Sequence, residues 1–149
     1  MGIPDPERDR QFYQGVAMRR LIAFILDSLI ILILWFVVLV LGALIAVISM
    51  GVGTPLMIIA LAGTGLFYRW MMLWHRSATL GMMAVGIEVR DQHGEKCDET
   101  VAFLHSLAFI ATLYLLPLAI IGWILMASSP HGRAMHDMMV KTVVINRPA

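Results

Sequence analysis

Leu21–Ile48, LIAFILDSLIILILWFVVLVLGALIAVI, decides the reading of this chain: an uninterrupted apolar run, read as a membrane span, with a single charged residue inside it. That residue is Asp27. A charge within the hydrocarbon is unfavourable by roughly 2.5–3.5 kcal/mol on insertion scales, so an intramembrane carboxylate is a candidate functional site from the outset. Arg20 stands immediately before the run. Seven residues are nearly two helical turns, so Arg20 and Asp27 share a face about 10 Å apart along the axis. That spacing is too long for a tight ion pair without side-chain reach, yet short enough for each charge to bias the other in a low dielectric.

Composition agrees with the run. Of 149 residues, 60% are hydrophobic and only 14% charged, where a soluble domain carries about 25% charged. An integral membrane protein is expected, with the lipid bilayer as its first partner. The net charge of +1 carries no basic excess of the kind nucleic acid would select, and none is expected as a partner. The lone Cys97 excludes an internal disulfide framework and a cysteine-rich metal site, and its polar neighbours suggest a loop thiol. Arg19 and Arg20 before an apolar stretch resemble a signal peptide, but the stretch is too long for an h-region and contains Asp27, so a retained first span is expected.

The chain reads as one membrane domain, 1–149. Residues 1–18 are polar, ending in an interfacial helix anchored by Phe12 and Tyr13. Span one covers 21–48, and a turn at Ser49–Pro55, rich in Gly, leads into span two at 56–74. The small residues Ala60, Ala62, Gly63, Thr64 and Gly65 are expected to form a packing face. Tyr68, Trp70 and Trp74, with Arg69, His75 and Arg76, mark the exit into the interface.

Residues 77–100 form a polar loop in which Val85–Arg90 alternates like a strand, and Lys141–Asn146 in the tail (128–149) is a second β-rich run. Strands this short are marginal alone, so they are expected to pair with each other. That expectation conflicts with a third apolar segment, 101–127, counted as a single span. Arg8, Arg10, Arg19, Arg20, Arg69, Arg76, Arg133, Lys141 and Arg147 also want the N-terminus, loop and tail on one cytoplasmic side. A broken hairpin turning back near Pro117 resolves the conflict, although a proline-kinked ordinary span remains the alternative. The fold class expected is an all-α polytopic membrane protein: two full transmembrane helices, a third long apolar helix (broken or re-entrant in the first reading), and a small β-like polar cap at the cytoplasmic face.

Three motifs now line up. Tyr13-x-Gly15 with Arg19–Asp27, then Thr79-Leu80-Gly81 with Gly86-Ile87-x-Val89, then His136-Asp137-x-x-x-x-Thr142-Val143-Val144, resemble in order the signatures of the RDD family of small bacterial membrane proteins. The resemblance implies that the family's arginine and two aspartates correspond to Arg20, Asp27 and Asp137. With the cytoplasmic N-terminus that the positive residues want, a multi-pass protein of the bacterial cytoplasmic (inner) membrane is expected. Transport of unidentified ligands, in a few members cation/proton exchange, is the activity the resemblance suggests. The chain departs from the pattern at Met82 and Met83, where basic residues usually follow the middle motif, and at His105, where an arginine is often found.

Each candidate has a plainer reading. Asp27 could take up and release a proton or cation, since burial and a nearby cation act on its ionisation in opposite directions, or it could form a fixed structural pair with Arg20. Ser28, about 100° round the helix, is expected to hydrogen-bond between helices. His105 suits a proton relay or a partly interfacial histidine satisfied by a backbone carbonyl. Asp137 is expected to cap a helix or pair with Arg133, Arg20 or Arg76. His131 and His136 are five apart and do not share a helical face, so no metal is expected there. Twelve methionines suit soft copper(I) but read as flexible apolar filler. No catalytic motif appears, so neither an enzyme nor a cofactor is expected. The expectation is transport of an ion or small solute by a homo-oligomer, with Asp27, Arg20, Asp137 and His105 as the proton, cation or substrate site. A membrane scaffold or accessory subunit using the same charges as structural links is the alternative.

Overall fold

The computed structural model describes residues 4–5, 7–115, 120–122, 124, 128 and 133–147. Helix α1, Val16–Ile48, starts five residues before the apolar run, and Gly15 adopts φ +71° as its N-cap, a conformation glycine reaches without a Cβ penalty. The expected interfacial helix before it is a single 3₁₀ turn, Arg10–Phe12. Helix α2, Thr54–Arg76, has Pro55 in its first turn and ends at Ser77 in the left-handed region.

Both helices are long and apolar enough to cross a membrane. Their packing is the reverse of a soluble core helix. In α1 only Val16, Ala23, Asp27 and Gly42 are buried, while Phe36 is 67% and Val47 77% exposed. Such a continuous apolar surface is tolerable only where lipid or another apolar phase replaces water. On the small-residue face expected on α2, Ala60, Ala62 and Gly63 are exposed, and a Cβ at Gly63 or Gly65 would meet nothing within 4 Å among the described residues. The helices are tied elsewhere, by Trp35 Nε1 donating to the Leu61 carbonyl at 3.0 Å.

After α2 come a short helix α3, Leu80–Ala84, and strand β1, Ile87–Arg90. Helix α4, Glu99–Tyr114, is capped by the Asp98 carboxylate, which accepts from Val101 N–H at 2.7 Å. Helix α5, Met135–Val140, and strand β2, Val143–Asn146, follow. The strands pair antiparallel, Ile87 opposite Asn146 and Arg90 opposite Val143, as their patterns predicted. Loop and tail therefore lie at the same end of the helices. The N-terminal segment joins them there: Asn146 Nδ2 donates to the carbonyls of Gln11 and Gln14, and Arg19 to that of Val85.

The third apolar segment is not one straight helix. At 16 residues α4 is about 24 Å long, short of a ~30 Å hydrocarbon core. Ten residues along a helix would separate Thr112 from Gly122 by about 15 Å, yet a Cβ at Gly122 would lie 4.0 Å from Thr112 Cγ2 and 3.6 Å from Met135 Cβ. The chain has come back on itself, as the paired strands require. Pro117 and His131 lie outside the described residues. The buried apolar cluster sits at the strand end, built from Val16, Leu73, Ile87, Val89, Ala102 and Val144 with Cys97 among them. Cys97 lies in the loop before α4, as expected, and its thiol is buried in this core, its backbone N–H donating to Ser77 Oγ at 3.0 Å.

Candidate functional site

Two buried acid–base pairs line one cavity, and neither is the Arg20–Asp27 pair suggested by spacing along α1. Asp27 is turned toward α2 and α3. Its Oδ1 accepts from Tyr68 Oη at 2.8 Å and from Gly81 N–H at 2.9 Å, and its Oδ2 from Thr79 Oγ1 at 2.5 Å. Its cation is Arg69, with Nη1 3.9 Å from Oδ2.

These contacts give the Thr79-Leu80-Gly81 motif a physical meaning. Thr79 donates to Asp27 while its oxygen caps α3 by accepting from Met82 N–H at 3.2 Å. Gly81 presses on α1 so closely that a Cβ would clash with the Ala23 carbonyl and lie 2.9 Å from the Asp27 carboxyl. Ser28, next in sequence, donates to Phe24 O at 2.7 Å within its own helix, not between helices.

Arg69 was read from sequence as a marker of the membrane exit. It is instead buried, its guanidinium 3.6 Å from the centroid of the Phe109 ring and its Nε without a hydrogen-bond partner among the described residues. The legible signal was a cation seven residues before the helix end, inside an apolar stretch.

Arg20, nearly two turns before Asp27, pairs with Asp137 of α5 through Nη2 and Oδ2. The same Oδ2 accepts the Ala134 N–H at 3.0 Å. Of the partners considered for Asp137, the structure selects Arg20, with an additional capping role at the start of α5. Burial, the largest single influence, raises the Asp137 pKa, but Arg20, His136, His105 and the Ala134 N–H together outweigh it and hold the group at about 2. His136, whose Nε2 lies 3.4 Å from Asp137 Oδ1, is pushed down to about 4 by burial, against the pull of Asp137.

His105 is fully buried, and no backbone carbonyl among the described residues satisfies it. Its Nδ1 lies 3.0 Å from Thr142 Oγ1 and 3.7 Å from Asp137 Oδ1. Thr142 closes the third motif, its N–H donating to the Asp137 carbonyl at 2.8 Å.

The cavity between these groups has a volume of about 80 Å³, and Asp27, Arg69, Arg20, Asp137, His105 and His136 all line it. That is room for several waters or a small solute. Phe24, Phe109 and Met82 contribute apolar wall, so charge–charge contacts there are weakly screened. Arg20, Asp27, Asp137 and His105 were all expected from sequence, and the structure brings them around one space. Arg69, Tyr68, Thr79 and Thr142 were not singled out as site residues.

Exposed apolar helices of membrane-spanning length, joined around buried acid–base pairs, define a membrane protein. The RDD family model matches residues 15–141, and the chain belongs to the RDD family. No curated protein and no solved structure matches the chain.

Proposed function

We propose that the protein moves an ion or small solute across a bacterial inner membrane, with the cavity as its binding site. The observation that carries this reading is the shared cavity: two carboxylates and two guanidinium groups from α1, α2 and α5 face one small, largely apolar space. Intramembrane charges arranged around a cavity characterise ion and proton pathways. Arg69 is the movable element of this scheme. It stands 3.9 Å from Asp27, beyond hydrogen-bond range, and its Nε is unpartnered among the described residues. An entering cation or proton competes with this tethered cation for Asp27, and release lets Arg69 return. Cation/proton exchange is the form of transport this supports best.

The chain would be multi-pass with its N-terminus, loop and tail cytoplasmic, in keeping with their positive residues. A chain with so few spanning helices encloses little pathway alone, so a homo-oligomer is part of the proposal. No enzymatic activity is proposed.

One observation favours the scaffold reading: Asp27 already accepts three hydrogen bonds that clamp α2 and α3 onto α1. Asp27→Asn in proteoliposomes separates the two. Transport predicts that assembly is retained while cation-coupled proton flux is lost, even though leaving Arg69 unpaired lowers the melting temperature. Absence of flux of every tested cation in the wild-type protein, with Asp27→Asn loosening assembly, rejects transport in favour of the scaffold.

A further inference from the structure

We propose that His105, His136 and Asp137 form a binding site for a divalent transition-metal ion of the zinc or cobalt type. One donor atom from each residue lies within 4.8 Å of the others. The residues come from α4 and α5, brought together by the return of the chain.

Two buried atoms at this place lack hydrogen-bond partners among the described residues: Asp137 Oδ1 and His105 Nε2. Buried polar atoms are nearly always satisfied, so two orphans on adjoining side chains ask for a common partner. One tautomer of the network around them leaves a nitrogen lone pair free for a metal. In it, Thr142 Oγ1 donates toward the Asp137 carbonyl at 3.5 Å and is left to accept from His105 Nδ1 at 3.0 Å. The lone pair of His105 is then on the orphaned Nε2. A histidine that donates its other N–H to a fixed acceptor is the usual outer support of a metal ligand. His136 Nε2 stands 3.4 Å from Asp137 Oδ1, against about 3.3 Å between donors of a tetrahedral site with bonds near 2.0 Å.

Charge selects the class of ion. Arg20 already balances Asp137 through Oδ2, so only one carboxylate oxygen remains and the local field is not strongly negative. Calcium and magnesium need several oxygen donors and find only Asp137 Oδ1 among these three side chains. Two imidazoles and one carboxylate oxygen suit zinc-like ions, with a water from the cavity in the fourth position.

The inference is independent of transport, because binding is measured without flux. Untagged protein in lipid nanodiscs is titrated with Co²⁺ and then with Zn²⁺. Expected are one Co²⁺ per chain, the visible absorption bands of a four-coordinate ion, and displacement by Zn²⁺. His136→Ala and His105→Gln each weaken binding by at least about tenfold, whereas His93→Ala, an exposed histidine, leaves it unchanged. Zn²⁺ raises the melting temperature of the wild type and not that of His136→Ala. Sub-stoichiometric Co²⁺, or His136→Ala binding like the wild type, overturns the proposal. Should His105→Gln fail to fold, the half-buried His136 decides alone.

Discussion

Arg20 and Asp137, 117 residues apart, form a buried ion pair that fastens the start of α1 to α5. Asp137 is fully buried. Breaking one side of such a pair is more damaging than replacing both, since it leaves a buried charge uncompensated. Asp137→Asn is expected to destabilise the protein by about 3–5 kcal/mol in detergent unfolding, and Arg20→Met with Asp137→Leu to recover part of that loss. Equal loss in the single and double variants would remove the pair from its structural role.

Two glycines make a paired prediction. Gly81→Ala drives a Cβ against the Ala23 carbonyl and the Asp27 carboxyl, so a destabilisation of about 1–3 kcal/mol is expected. Gly63→Ala meets open space and should change chain stability by no more than about 0.5 kcal/mol. Thermal melts of the two variants side by side check the contrast.

Thr79→Val keeps the shape of the side chain but removes both the donor to Asp27 and the cap of α3. A loss of about 1–3 kcal/mol is expected, because Asp27 Oδ2 and Met82 N–H each lose a hydrogen-bond partner. Thr79→Ser, which retains the hydroxyl, should recover most of it. A Val variant as stable as the Ser variant would contradict the hydrogen bonds.

Burial, with Asp91 and Asp98 adding to it, pushes the Cys97 thiol up to about 12. A raised folded-state pKa makes deprotonation favour the unfolded chain. The contribution to stability is therefore intact below the ordinary thiol value and is lost as the pH rises from about 9 toward 12. Alkylation of the folded protein at pH 8 should be at least about 100-fold slower than in denaturant, since the thiolate is the reacting species. Rapid alkylation of folded protein would place Cys97 outside the core. Cys97→Ser should flatten the alkaline limb of the stability profile.

The pairing of β1 with β2 fixes relative sidedness. In a Cys97→Ser background, single cysteines at Gln92 and Arg147 should react with an impermeant reagent from the same side of a sealed membrane. Labelling from opposite sides would be incompatible with the observed register.

Local signals carried much of this protein. The apolar period and length of Leu21–Ile48 determine a spanning-length helix whatever surrounds it, because an apolar run must avoid water and satisfy its own backbone hydrogen bonds. The alternation in Val85–Arg90 and Lys141–Asn146, too short to stand alone, already implied a shared sheet. The cost of a buried charge singled out Asp27, and the three motifs singled out Arg20 and Asp137.

Partner choice was not local. Spacing along α1 put Arg20 and Asp27 on one face, but an ion pair is decided by which opposite charge reaches closest across the packing. Tertiary structure gave Asp27 to Arg69 and Arg20 to Asp137. It also turned His105 inward to meet His136, 31 positions later, where helical periodicity could compare only His131 with His136. The sequence by itself determined that this is an apolar, helical chain with misplaced charges. Only the return of the chain and the seating of α3 on α1 decided which charges meet, because electrostatic and hydrogen-bond partners depend on distance in space and not along the chain.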